Sequence, residues 1–238
     1  MDIFYPYKHS PSLHGGVQLL YSLRSIEKYL IGFDSLYIVG DIHPNINANY
    51  IPFVDNLEQG FKDANIYQKC AKALDYVSNG RGLMLNDDHY ILAPYDVLYY
   101  PFFYREGDMI KTIEKHVDRS EGTGAVMGNT REFLLEKGAT VRNYDVHCPI
   151  IYEKEAFKAL ESADWTKPNG YGVKSLYCNL NNVKGTFIED NKMFPHMNEA
   201  DSRNAIKNHP FFSTSPLIRD HQMKILQELY PEKSHWEK

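Results

Sequence analysis

Three short stretches carry side chains that could do chemistry together. The first is Leu83-Met84-Leu85-Asn86-Asp87-Asp88-His89. Its apolar residues predict a buried strand, and two carboxylates follow at its end. In open α/β sheets, ligands bind beyond the carboxyl ends of strands. Two adjacent carboxylates repel each other unless something compensates them. A hard divalent cation, Mn2+ or Mg2+, would do so, and would also bind diphosphate oxygens and neutralise charge developing on a leaving group. An acidic turn after a strand has the same sequence signature, because Asp is a common turn former.

The second stretch is Asn143-Tyr144-Asp145-Val146-His147-Cys148-Pro149. An extended backbone points residues two apart to one side, so Asp145 and His147 form a candidate general base, or a histidine oriented by a carboxylate. The third, Phe187-Ile188-Glu189-Asp190-Asn191-Lys192, offers Asp190 as a reserve base or metal ligand. Solvated polar loops remain the alternative reading of both. For phosphate, the candidate is Arg24 beside the apolar face of a helix. Arginine there can grip a phosphate bidentately or lie along the surface. No glycine-rich phosphate loop and no Gly-x-Ser-x-Gly elbow occurs. Phosphate binding must therefore use metal and basic side chains.

The elements that would position these groups follow from periodicity. Ile3–Tyr7 reads as a buried strand and residues 8–15 as a loop. Leu19, Leu20, Leu23, Ile26 and Leu30 predict an amphipathic helix over 16–30. Ser35–Val39 then reads as a strand, completing a strand–helix–strand unit. Residues 42–60 read as loop. A second helix carries Ile66, Cys70, Ala73, Leu74 and Val77 on one face and stops at Asn79-Gly80. Gly82–Leu85 is the next strand. Alternation of this kind predicts an α/β fold with a mainly parallel sheet. Beyond it, 109–117, 130–137 and 153–160 read as helical and 149–152 as extended. Residues 163–215 show no long element, though Phe211-Phe212 suits a strand. Ser215-Pro216 reads as the start of a last helix, with Ile218, Ile225, Leu226 and Leu229 on its apolar face and Pro231 after it.

The 238 residues carry a formal net charge of −5 and a pI near 6.1, which lacks the basic surplus usual for nucleic-acid binding. Cys70, Cys148 and Cys178 are too few and too widely spaced for a disulfide framework or a zinc motif. No signal-peptide pattern and no stretch approaching a membrane span is evident. A cytoplasmic protein of one domain over 1–238 is expected.

Several of these stretches resemble one family. Tyr21-Ser22-Leu23-Arg24-Ser25-Ile26-Glu27-Lys28 followed by Leu36-Tyr37-Ile38-Val39, then Leu85-Asn86-Asp87-Asp88, His147-Cys148-Pro149 and Pro231-Glu232-Lys233-Ser234, are similar in order and type to segments of the Stealth-type capsular polysaccharide sugar-phosphate transferases. Where that family has a strand ending in an acidic turn, Ile3–Lys8 carries no acid. The layout is also similar to the broader GT-A glycosyltransferases, with Asn86-Asp87-Asp88 as the acidic metal motif. The resemblance implies a GT-A-like fold with a nucleotide-sugar-binding half over 1–100 and a less regular acceptor half with the C-terminal helix over 101–238. It further implies a divalent metal at Asp87 and Asp88, a nucleotide-sugar donor lined by Tyr5, Tyr7 and Lys8 at the end of the first strand, and a glycan acceptor, or alternatively a hydroxymethylated DNA base. Sugar-phosphate transfer and a non-catalytic carbohydrate- or nucleotide-binding domain are the alternatives.

Overall fold

The computed structural model describes residues 1–9, 16–57, 62–116 and 121–238. Parts of the loops expected over 8–15 and 42–60, and the end of the helix expected over 109–117, lie outside them.

The central sheet is built from β1 (Asp2–Tyr7), β3 (Leu36–Gly40), β4 (Asn49–Pro52), β5 (Arg81–Met84) and β9 (Ile150–Glu153), in the order β4-β3-β1-β5-β9. The first four run parallel, and β9 pairs antiparallel to β5. The fold is therefore mixed α/β, with a mainly parallel sheet between helices. β1 is buried along its whole length, as a strand covered on both faces must be. Ile3, Tyr5 and Tyr7 join the core under α1 (Val17–Tyr29), and Phe4 joins the opposite core under α2 (Lys62–Tyr76). α1 contributes Leu19, Leu23 and Ile26, all fully buried, each stabilising by about 1.5–3 kcal/mol relative to exposure.

Among the described residues, three small sheets complete the scaffold. β2 (Leu30–Ile31) pairs with β7 (Tyr95–Asp96). β8 (Phe103–Tyr104) pairs with β10 (Thr186–Phe187). β6 (His89–Ile91), β11 (Lys192–Met193) and β12 (Phe211–Thr214) form the third, with β12 in the middle. The remaining helices are α3 (Ile110–Lys115), α4 (Gly122–Glu136), α5 (Lys154–Phe157), α6 (Val173–Leu180), α7 (Glu199–Ile206) and α8 (Asp220–Leu229).

Some boundaries differ from expectation. β4 forms inside the stretch expected to be loop; as an edge strand it tolerates Pro52. α8 starts at Asp220, not at Ser215-Pro216. The Ser215 amide still bonds to the Met193 carbonyl and its carbonyl accepts from Gln18, so Ser215 is tied to the small sheet, and the chain turns helical only after Arg219, the extended N-cap whose amide donates to the Gln222 side chain.

Candidate functional site

The register of β5 and β9 brings the two main motifs together. Met84 lies opposite Ile150, so the segment entering β9 shares one sheet edge with the segment leaving β5. Asp87-Asp88 and Asp145–Cys148 meet at that edge although they are some sixty residues apart. Tyr7 and Gly40, the last residues of β1 and β3, end at the same edge, and α2 begins there. Gly40 has φ +127°, and a Cβ on it would run into the Tyr7 carbonyl and lie 3.1 Å from Lys69 Cε; only glycine lets these strand ends close up.

A cleft of 830 Å³ opens beside this edge, walled by Lys62, Asp63, Arg105, Asn143, Asp145, His147 and Gly172 among others. Asp145 accepts a hydrogen bond from the Ser175 hydroxyl of α6. Burial pushes its carboxyl up, with Ser175, Lys174, His147 and Arg105 opposing. Asp63 stands near it, pushed up to about 6 by burial and by the Asp145 charge.

His147 does not pair with Asp145 as the two-residue spacing suggests. Val146 and Cys148 donate their amides two residues back, to the carbonyls of Tyr144 and Val146, each at 2.8 Å. These tight turns coil the segment and cancel the extended alternation. The partner of His147 is Asp190, the reserve candidate: Nδ1 lies 2.7 Å from Oδ2, and the His147 amide donates to Oδ1 at 2.8 Å. Arg105 Nη1 also reaches Asp190, at 2.7 Å. The parallel pairing of β8 with β10 delivers Arg105 and Asp190 side by side. Burial would raise the Asp190 carboxyl, but His147 and Arg105 outweigh it and hold it down at about 2. An ionised Asp190 only accepts, so the His147 Nδ1 carries the proton. Nε2 then faces Lys192 Nζ at 3.3 Å, which only donates.

Lys192 in turn lies 3.8 Å from Asp88 Oδ2. β11 and β6 flank β12, with Ser213 opposite both Lys192 and His89, which sets Lys192 beside the strand-end carboxylates. Burial and the neighbouring Asp88 push the Asp87 carboxyl up, with Lys62 and Lys69 opposing. Among the described residues no group of three or more His, Cys, Asp or Glu side chains is arranged to hold a metal ion. Two carboxylates nevertheless suit Mg2+ or Mn2+, which commonly takes one or two from the protein and the rest from substrate phosphates and water. A cation there would relieve the repulsion that raises Asp87.

The nucleotide and phosphate candidates lie in three different places. Tyr5 is fully buried and bonds to the Ser22 hydroxyl at 2.9 Å, so its side chain belongs to the α1 core. Tyr7 is buried too, but its hydroxyl meets His9 Nδ1 at 3.1 Å near the strand ends. Burial raises its phenol, and so do the charges of Asp87 and Asp41. Lys8 is exposed and pairs with Asp55 at 3.1 Å. Arg24 turns away from phosphate duty. It forms a fork of two 2.7 Å bonds to Glu237 and also donates to the Tyr230 carbonyl, because α1 presents it to the C-terminal segment. The residues not singled out from sequence are Asp63, Arg105, Lys174 and Lys192. Lys174 is buried and donates to the Val146 and Cys148 carbonyls on either side of His147. Of these, only Lys192 lay within a stretch already marked by its charges.

No family model matches the chain, and no curated protein matches it. Among solved structures, it is similar to a glycosyltransferase involved in the glycosylation of the major capsid of PBCV-1. The identity is 14%, the TM-score 0.41, and the match covers 95% of this chain and 98% of that one. A likeness that loose carries no argument about chemistry.

Proposed function

We propose that this protein transfers a sugar from a nucleotide-sugar donor to an acceptor hydroxyl, with Mn2+ or Mg2+ held by Asp87 and Asp88. The observation that supports this reading is a strand-end carboxylate pair at the carboxyl edge of a mainly parallel sheet, beside a cleft walled by Lys62, whose charge acts on Asp87, and by Asp145, a carboxylate that burial has raised. Bound there, the cation would neutralise the donor diphosphate. Asp145 takes the base role. It lines the cleft, and a carboxylate whose proton affinity burial has raised is a better proton acceptor than an ordinary one. The acceptor hydroxyl gives its proton to Asp145, its oxygen forms the new bond at the anomeric carbon, and the bond to the diphosphate breaks. A base so placed serves an inverting transfer. His147, with Asp190 on one nitrogen and Lys192 on the other, is a positioning residue.

The test is release of nucleoside diphosphate from a panel of nucleotide sugars with Mn2+ or Mg2+ and candidate glycan acceptors, with phosphorus analysis of the product. Asp87→Ala and Asp88→Ala should abolish turnover while the far-ultraviolet spectrum is kept. Asp145→Asn should lower turnover about a hundred- to ten-thousand-fold with donor affinity kept, and His147→Ala should cost less. Full activity in both strand-end variants would sink the metal assignment. Phosphorus in the product would replace sugar transfer by sugar-phosphate transfer.

A further inference from the structure

Three lysines around the sheet edge are held in quite different ways. Lys69 donates to the Tyr7 carbonyl at 3.0 Å and to Asp55 at 2.7 Å. Lys174 donates to two carbonyls at 2.7 and 2.6 Å. Both are close, ordinary bonds for a cation. Lys192 is different. Its ammonium lies 3.3 Å from His147 Nε2 and 3.8 Å from Asp88 Oδ2, so it touches a ring nitrogen at the long limit and reaches its carboxylate only as a loose ion pair. Its side chain is 18% exposed. A mostly covered cation therefore stands between the strand-end carboxylates and the wall of the cleft, with N–H donors that these two contacts do not occupy. The three-stranded sheet fixes it there: Ser213 holds Asn191 through its amide, and Thr214 holds the Asp88 carbonyl.

We propose that Lys192 is a donor-binding residue: its ammonium contacts the departing diphosphate and competes with the divalent cation for Asp88. The inference rests on the sugar-transfer reading for the identity of the anion. Two consequences follow. An ammonium 3.8 Å from Asp88 Oδ2 repels a dication entering the same site, so its removal should tighten metal binding. The same removal takes a charge-assisted hydrogen bond from the diphosphate, which should weaken anion binding about ten- to a hundredfold.

The experiment measures two affinities on the full chain, Mn2+ alone by electron paramagnetic resonance, and UDP and GDP by calorimetry with Mg2+ and again in chelator. Lys192→Met should bind Mn2+ severalfold tighter than wild type, and should bind the nucleoside diphosphate that wild type prefers about ten- to a hundredfold more weakly in both buffers. Lys192→Arg should keep most of the diphosphate affinity, which separates charge from packing, and thermal melts verify that each variant is folded. Unchanged diphosphate affinity in Lys192→Met overturns the proposal. If Asp88→Ala leaves Mn2+ affinity unchanged, the metal assignment fails, while the chelator arm still decides for or against Lys192 at the diphosphate.

Discussion

Asp190 offers the sharpest quantitative test of the site's electrostatics. Its side chain is 8% exposed and accepts from the His147 amide, the His147 ring and Arg105. Burial alone would raise its carboxyl, yet His147 and Arg105 bring it from the ordinary 3.8 to about 2. That difference corresponds to about 2 kcal/mol of stability. The sign is set by the depressed folded-state value. The contribution is complete above the unfolded-state value near 4, and is lost as pH falls through about 2. At pH 3 roughly half of it should remain. Asp190→Asn keeps the shape and removes the charge. Urea unfolding of wild type and variant should therefore show a stability gap that is smaller by about 1 kcal/mol at pH 3 than at pH 7. Other carboxylates, among them Asp55, Glu106 and Asp108, are also held low and will weaken both proteins in acid. The difference between the two isolates Asp190. A gap that stays constant from pH 7 to pH 3 would refute the ion-pair account, because a purely steric cost does not titrate.

Two further substitutions probe the cleft and its surroundings. A Cβ on Gly172 would collide with Asp145 Oδ2 and lie 2.8 Å from Met127 Cε; Gly172→Ala should cost about 1–3 kcal/mol of stability and lower turnover in kinetic assays more than donor affinity, and unchanged turnover would argue against Asp145 as the base. Arg24→Met leaves Glu237, whose side chain is 4% exposed, without its charged partner, though Ser234 still donates to it; denaturant unfolding should show a loss on the order of 2 kcal/mol with diphosphate affinity intact, whereas a loss of that affinity would return Arg24 to the phosphate site.

The parts of the fold that sequence reveals are those in which burial leaves a period. β1, α1 and β5 emerge within a residue or two of their bounds because their apolar residues follow strand or helix spacing. α6 does not: Val173 through Asn179 are all buried, and a helix covered on every side has no polar face to mark its period. The first half of α4 hides for another reason, since Gly122, Gly124 and Gly128 lie in its opening turns and glycine disfavours a helix interior. At the site, Asp87, Asp88, Asp145 and His147 stand out because acids and a histidine flank apolar strands. Their neighbours do not. Asp63 resembles any first-turn acid of a helix, and Arg105 any surface arginine; only the pairing of β8 with β10 and the opening of α2 at the sheet edge give them a role. The Asp145–His147 pairing expected from spacing becomes His147–Asp190 because the backbone coils where extension was assumed.

The antiparallel strand β9 has a consequence for anyone wishing to take this protein apart. β5 is apolar and buried over Gly82–Met84, and its free side is closed only by β9, which arrives from some seventy residues further along the chain. A fragment cut near residue 100 would present that side as a naked, sticky edge of unpaired amides and carbonyls, which is a template for aggregation. Tyr152 of β9 also packs within the same core as Phe4 and Met84. Chimeras that exchange the C-terminal part of the chain therefore need their junction beyond Glu153, so that the recipient sheet keeps its own closing strand.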